Sequence, residues 1–534
     1  MMSDDLARKR MWRTFIEHAQ PVLEDWQDMF ARPDQAQERV LQRILTYNTD
    51  SAFGRAHEFA SITDASMFAD KVPIHSYADL RPWIERAQNE HGAVLTGSPP
   101  LFFERTSGNS ARQKNIPYTR AFLSELQKAL TVWLADLYCR LPEIGHGMSY
   151  WSMSPPLQSP GISANGIPVG STSDLAYLEG SALTGLAGTL LIPDLSESAS
   201  EWRKRTLLAL LSNADLSFIS VWSPTFLISL LQPVFDVEMA ESRRTFEWLE
   251  GALPASRKRA LQRARDQGDF TGLWPRLAAI SCWMDGPSCN YAMQLATRFP
   301  HVQCLPKGLF ATEGVVSVPF GEGAGCPLAI GSHYLEFLAE DGSLRSARTL
   351  RIGETAQVLL TTGGGLYRYA LGDRVRGVGM IGDTARVEFV GRATGSCDLV
   401  GEKLDEPLVE RALSGCINAG DSACLVPDTR ATPARYVLVI ATFACLDAKT
   451  LAGSVDAALQ QSFHYAHARR MGQLGPVGVR VVGGGTDTLA QYLQRAAELA
   501  GIRAGDVKPR SLISQIKTAE ALLAVTEPLE CQTS

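Results

Sequence analysis

The segment Glu104–Thr119 reads ERTSGNSARQKNIPYT. Nine of its positions, Thr106-Ser107-Gly108-Asn109-Ser110-Ala111-Arg112-Gln113-Lys114, bring hydroxyls, a glycine and a terminal lysine together. The apolar run Leu101-Phe102-Phe103 precedes them, and Ile116-Pro117-Tyr118-Thr119 leads into a helical pattern. A loop between a buried strand and a helix, rich in backbone amides and hydroxyls, can hold phosphate: the amides donate hydrogen bonds and the lysine adds charge. It is not a Walker loop, because G-x-x-x-x-G-K-[ST] is absent. Taken alone such a stretch is more often only a polar loop, and the rest of the chain must decide.

At 534 residues the chain exceeds one ordinary core, so two or more domains are expected. A hydrophobic fraction of 45%, 20% charged residues and a formal charge of −6 describe a globular enzyme-sized protein and argue against a nucleic-acid partner. The ten cysteines form no C-x-x-C and sit beside no histidine at zinc-ligand spacing, which points to free thiols in a reducing cytoplasm. MMSDDLARKRMW carries acids early and lacks the apolar core of an export signal. No run approaches the roughly 20 apolar residues that span a bilayer, so no membrane partner is expected.

Apolar spacing predicts two helices over 5–47, broken at Arg32-Pro33-Asp34, then a turn at Phe53–His57 and a helix begun near Ser76. Between 119 and 300 helical segments alternate with strand-like runs, such as 149–153 and 217–222. That alternation favours an α/β layer with a parallel sheet and sites at its carboxyl ends. From 310 to 395 short glycine-separated strands, including 333–338, 356–362, 366–369 and 386–390, suit a small β-barrel or curled sheet. After Gly391-Arg392-Ala393-Thr394-Gly395, a hinge candidate, helices and strands alternate in a compact α+β unit.

Three further stretches carry candidate chemistry. Phe310-Ala311-Thr312-Glu313-Gly314 offers one carboxylate after an apolar run, enough for Glu313 to meet a magnesium ion that bridges phosphates; the plain alternative is a solvated turn. In GGGLYRYALGD, residues 363–373, Asp373 at a strand end can accept both hydroxyls of a ribose, or merely close a turn with Gly372. Arg392, Asp398 and GEKLDE (401–406) place a lysine in a glycine-led loop at the domain boundary, where most lysines are simply exposed. Gly377–Gly382 matches G-x-G-x-x-G but is followed by a strand rather than a helix, so it is not a dinucleotide fingerprint. His464 and His467 lack further metal ligands at suitable spacing, and neither G-x-S-x-G nor H-E-x-x-H occurs.

The order of these clusters is more telling than any one of them. A TSG loop, F-A-T-E, G-L-Y-R-Y-x-x-G-D, F-V-G-R and a lysine loop resemble the acyl-adenylate-forming superfamily that includes firefly luciferase. More closely, the chain resembles the Gretchen Hagen (auxin-responsive) family of acyl acid amido synthetases, in a bacterial-type form. Asn48–Arg55, Val72-Pro73-Ile74, Leu273-Trp274-Pro275 and Val507-Lys508-Pro509-Arg510 extend the likeness almost end to end. The resemblance implies an N-terminal adenylation domain of α/β layers over 1–395, with a β-barrel at about 315–395, and a smaller mobile C-terminal domain over 396–534. It also implies a ligase. A small carboxylic acid attacks Mg-ATP to give acyl-AMP and pyrophosphate, and an amine, usually of an amino acid, then displaces AMP.

Carried over by position, Thr106, Ser107, Gly108, Asn109 and Ser110 would line the phosphates with Lys114 nearby. Thr312 and Glu313 would hold nucleotide and magnesium, Tyr367 and Asp373 the nucleoside, and Arg392 would stand near the hinge. Lys403 and Lys508 both remain candidates for the lysine that reaches the α-phosphate. The acyl pocket would draw on 149–178, with Trp151, and on Trp222, Phe226 and Met284. SGNSARQK departs from the family's richer threonine, serine and glycine loop, and Gly314-Val315-Val316 replaces a more aromatic continuation. A thiol acceptor, coenzyme A or a carrier, is the second reading, and a nucleotide-binding protein without turnover the third. A monomer is compatible with the sequence.

Overall fold

The computed structural model describes residues 2–106, 114–152, 160–170, 177–178, 180–192, 199–235, 240–392, 397–400, 402–418, 420–502 and 504–526. Ser107, Gly108, Asn109 and Ser110, expected at the phosphates, lie outside them. The chain opens with helices Met2–Ala31 and Pro33–Asn48, separated where Pro33, which has no N–H, can begin a helix but not continue one. Trp12, Phe15, Trp26 and Phe30 on the first, with Val40, Leu41, Ile44 and Leu45 on the second, are buried in the largest core. Phe53–His57 is not the expected turn but a helical one, Ala52–Ala56, because the Ser51 hydroxyl accepts the Gly54 N–H at 2.9 Å. Ser76 and Asp79 form a reciprocal capping box on helix Tyr77–Asn89.

The polar segment is not bounded as expected. Strand Phe102–Arg105 pairs antiparallel with Asn115–Tyr118, so the loop joins two strands of a hairpin. Only then does Thr119 cap helix Arg120–Arg140. Behind this hairpin lies a five-stranded parallel sheet in the order Leu190–Leu191, Met148–Trp151, Leu216–Ser220, Ala279–Cys282, Gln303–Pro306. Its four longer strands end on Trp151, Ser220, Cys282 and Pro306, which brings Ser152, Trp222, Trp283 and Lys307 to one edge. The expected parallel layer is present, and its carboxyl edge is where this architecture collects ligands.

A six-stranded antiparallel sheet follows, running from Cys326–Pro327 through Thr384–Arg392, Tyr369–Ile381, Thr355–Thr361 and Tyr334–Ala339 to Leu344–Arg345. Among the described residues no pairing joins its two edge strands. The expected strand over 366–369 begins only at Tyr369, because Arg368 adopts φ 45° and turns the chain. Asp373 accordingly lies inside the long strand and not at its end, opposite Arg392 in register.

The G-x-G-x-x-G segment is one arm and the turn of a hairpin. Gly382 takes φ 55° between the strands, and a Cβ on Gly377 would stand 2.3 Å from the Arg351 carbonyl oxygen. These glycines serve packing. Gly377→Ala is expected to lower stability by about 1–3 kcal/mol in denaturant unfolding while the KM for ATP stays at the wild-type value.

The last part of the chain builds a sheet in which Arg435–Thr442 pairs antiparallel with Ser422–Asp428 and parallel with Gly478–Gly483. Helices Ala448–Leu459, Phe463–Arg470 and Ile516–Val525 accompany it, as expected of a compact α+β unit. Helix Thr486–Leu499 packs on helix Pro224–Phe235 of the preceding part, and its Glu498 pairs at 2.6 Å with Arg203 of helix Ala199–Ser212. That contact sets the terminal segment, with Lys508 and Arg510, against the parallel sheet. Among the described residues no helix is long and apolar enough to cross a membrane.

Candidate active site

The hairpin holds Thr106 and Lys114 face to face at the base of the polar loop: the Thr106 N–H donates to the Lys114 carbonyl at 3.0 Å, and the Lys114 N–H to Thr106 Oγ1 at 3.2 Å. Lys114 Nζ then reaches across to Glu313 Oε1 at 3.0 Å and to the Tyr369 hydroxyl at 2.7 Å. Glu313 is at the tip of a tight hairpin, Phe310–Ala311 with Gly314–Val315, whose Thr312 carbonyl accepts the Tyr118 O–H at 2.9 Å. Residues 199 positions apart in sequence thus meet in one ion pair.

Asp373 is 0% exposed, and its Oδ1 accepts Arg392 Nε–H at 2.6 Å. Its Oδ2 has no partner among the described residues. A buried, unmatched carboxylate oxygen is costly unless a ligand brings donors, and Oδ1 keeps a second lone pair for sharing. A vicinal diol supplies two such donors. Tyr367 was expected beside it but faces elsewhere: its hydroxyl donates to the Leu95 carbonyl at 2.7 Å and its ring stacks on Phe53 at 4.6 Å. The turn at Arg368 breaks the alternation of the strand, so Tyr369 is the tyrosine that meets Lys114 and Glu313. The signal was in the quoted GLYRY, but the backbone break that separates the two tyrosines was not.

Of the two candidate lysines only Lys508 enters the site. It lines a cavity of about 460 Å³ together with Thr106, Lys114, Thr312, Glu313 and Arg392. Its ammonium stands 4.8 Å from the Trp283 ring, and burial, reinforced by Arg392, pushes its pKa down to about 8 against the pull of Asp373. Arg510, on the same segment, pairs at 3.9 Å with Glu406, whose pKa burial raises. Lys403 is exposed, held at φ 47° in the short connection between Cys397 and Leu404, and does not line the cavity.

The remaining wall is aromatic. Trp133, Trp151, Trp222, Trp283 and Phe310 line it, with Trp222 6.0 Å from Phe310 and 6.1 Å from Trp283. Trp151 and Trp222, expected at the acyl pocket, line this cavity, as do Trp133 and Trp283, which the sequence did not single out. Phe226 lies in the core of helix Pro224–Phe235 against Trp202, and Met284 packs on that same core outside the cavity lining. One cavity thus joins a cationic, hydroxyl-bearing end to a flat apolar end. Among the described residues no group of three or more His, Cys, Asp or Glu forms a metal cluster, and His464 and His467 are exposed.

The solved structure of the GH3.15 acyl acid amido synthetase has the same fold, with a TM-score of 0.76 at 18% identity over 95% of this chain and 96% of that one. A 2-hydroxyisobutyryl-CoA ligase, solved in the postadenylation state with 2-HIB-AMP, aligns at a TM-score of 0.54 and 14% identity over 92% and 91%. Among sequence relatives, the indole-3-acetic acid-amido synthetase GH3.5 of Arabidopsis thaliana is 23% identical over 554 residues, 87% of each chain. GH3.8 of Oryza sativa subsp. indica, with the same activity in its name, is 23% identical over 550 residues, 88% of each. The GH3 family N-terminal, central and C-terminal domains match residues 22–304, 326–392 and 408–516 in turn. With all three domains present in order over most of its length, this chain belongs to the GH3 family.

Proposed function

We propose that the protein is an ATP-dependent acyl acid amido synthetase, activating a small carboxylic acid as its acyl-AMP and passing the acyl group to the amine of an amino acid. The carrying observation is the shared cavity: Thr106, Lys114, Thr312, Glu313, Arg392 and Lys508, from four separate stretches of chain, face one space that continues into an aromatic pocket. The acid lies against the indoles with its carboxylate toward Thr312, and the ATP ribose would reach Asp373, which is fully buried and does not itself line the cavity, past its partner Arg392, which does. Carboxylate oxygen attacks the α-phosphorus and pyrophosphate leaves. The developing charge is met by Lys508 and, through the loop base, by Lys114. The amine nitrogen then attacks the acyl carbon and AMP departs, a better leaving group than the oxide of a free acid.

Glu313 would hold magnesium as its single carboxylate, the remaining ligands coming from phosphate oxygens and water; when bound the ion would neutralise phosphate charge. Only Oε1 of Glu313 is engaged by Lys114, so the residue suits that role. Residues 396–534 form the mobile domain and 1–395 the adenylation domain. Rotation of the C-terminal domain at the boundary near 395 would withdraw Lys508 after the first step. The nine described cysteines are all unpaired, and the need for ATP and free amino acids suits the cytoplasm.

Acid and ATP, given with amino acids or with coenzyme A in separate reactions, test this by mass spectrometry of the product. An amide is expected with amino acids; a thioester alone would favour the thiol-accepting alternative. A pH effect follows from Lys508. The ammonium is the active form, so kcat/KM for ATP is full well below the pKa of about 8 and falls about tenfold per pH unit above it. Lys508→Arg should remove that alkaline limb in pyrophosphate exchange.

A further inference from the structure

Lys307 has no role in the chemistry above. It follows strand Gln303–Pro306 at the carboxyl edge of the parallel sheet, is 5% exposed, and lines the aromatic end of the cavity. Its ammonium lies 4.5 Å from the Trp133 ring and 4.7 Å from the Trp222 ring, and it donates to Ser220 Oγ at the end of the neighbouring strand. Among the described residues no carboxylate pairs with it. A buried ammonium has three N–H donors; two indole faces and one hydroxyl satisfy it only in part. Burial accordingly pushes its pKa down to about 7, near the point where an arriving anion would fix the proton in place.

The reacting carboxylate is not that anion. From Lys307 the chain passes Phe310, which packs on both tryptophans, before reaching Thr312 and Glu313. Lys307 shares no hydrogen bond or ion pair with Lys114, Glu313, Asp373, Arg392 or Lys508 among the described residues. An ammonium held on the attacking oxygen would also lower its nucleophilicity. An acid whose carboxylate reaches the nucleotide must instead present its other end to Lys307, between two indoles that suit a flat ring.

We propose that Lys307 is a specificity residue that selects a flat aromatic acid bearing, away from the reacting carboxylate, a second group that accepts hydrogen bonds: a ring hydroxyl, phenolate or second carboxylate. The inference rests on the ligase reading, which supplies the acid. Its own effect is on binding, because a pocket built to hydrogen-bond a substituent rejects the analogue that lacks it.

The test compares benzoate with its 3- and 4-hydroxy and 3- and 4-carboxy derivatives. Binding to the full chain is followed by tryptophan fluorescence with a non-hydrolysable ATP analogue present. Wild type should bind at least one substituted acid about tenfold or more tightly than benzoate, the range of a hydrogen bond to a charged group. Lys307→Met should erase that preference with benzoate affinity within about threefold of wild type, and Ser220→Ala should keep it. A wild type that treats all five acids alike overturns the proposal without recourse to any variant, as does a preference that survives in a folded Lys307→Met protein. Pyrophosphate exchange run on the same acids separates the two readings: no exchange with a preserved binding preference sinks the ligase reading and leaves the role of Lys307 standing.

Discussion

Lys508→Ala is expected to slow acid-dependent adenylation by about 10²–10³-fold, the usual cost of removing one preorganised charge from a developing oxyanion. If Lys508 has the role proposed above, the loss should fall on kcat rather than on the KM for ATP, because that role meets charge that grows only as the α-phosphorus is attacked. Lys508 is placed for this by Val507 and Pro509 beside it and by Trp283 beneath its ammonium, in the cavity that also holds Glu313 and Arg392. Supplying preformed acyl-AMP bypasses the step, so amide formation from it should remain within about tenfold of wild type. Lys403→Ala, a change at an exposed position, should leave adenylation unaltered. Stopped-flow measurement of the two half-reactions distinguishes these outcomes. Equal loss in both halves would remove Lys508 from the phosphate.

Asp373→Ala is expected to reduce kcat/KM for ATP by about 10²–10³-fold, consistent with losing two ribose hydrogen bonds to a charged acceptor at roughly 1.5–3 kcal/mol each. Arg392 would be left without its carboxylate at 2.6 Å, and the ribose without an acceptor. The KM for the acid should stay within about threefold, since among the described residues Asp373 hydrogen-bonds Arg392 and no residue of the aromatic wall. Asp373→Asn, which keeps one acceptor oxygen, should recover part of the loss. Wild-type ATP kinetics in Asp373→Ala would remove the ribose assignment, and a uniform fall in both substrates would mark a purely structural residue.

The legible parts of this site were those written locally. Thr106 and Lys114 bracket a polar run after an apolar triplet, and a hairpin brings them within hydrogen-bonding distance. Glu313 and Asp373 stood out as single carboxylates in short turns or glycine-rich strands. What stayed hidden depends on pairing across long separations or on one backbone angle. Nothing in the sequence tells that Arg368 takes a positive φ and so turns Tyr369, not Tyr367, toward Lys114. Phe226 is as aromatic as the pocket residues, yet it is buried in the core of its helix against Trp202. Lys307 and Trp133 looked like ordinary residues of a strand end and a helix, and only the sheet edge sets them around one space. The same limit applied to the parallel layer: alternation revealed that it exists, but not that Leu216–Ser220 lies between Met148–Trp151 and Ala279–Cys282.

The most direct measurement is exchange of labelled pyrophosphate into ATP, carried out without any amine and across a panel of aryl, indolyl and fatty acids. If one cavity grips the nucleotide while it activates an acid, label enters ATP only when a suitable acid is present, and the rate collapses in Lys508→Ala and Asp373→Ala. Label that enters ATP without acid, or no exchange with any acid while ATP still binds, would contradict the account.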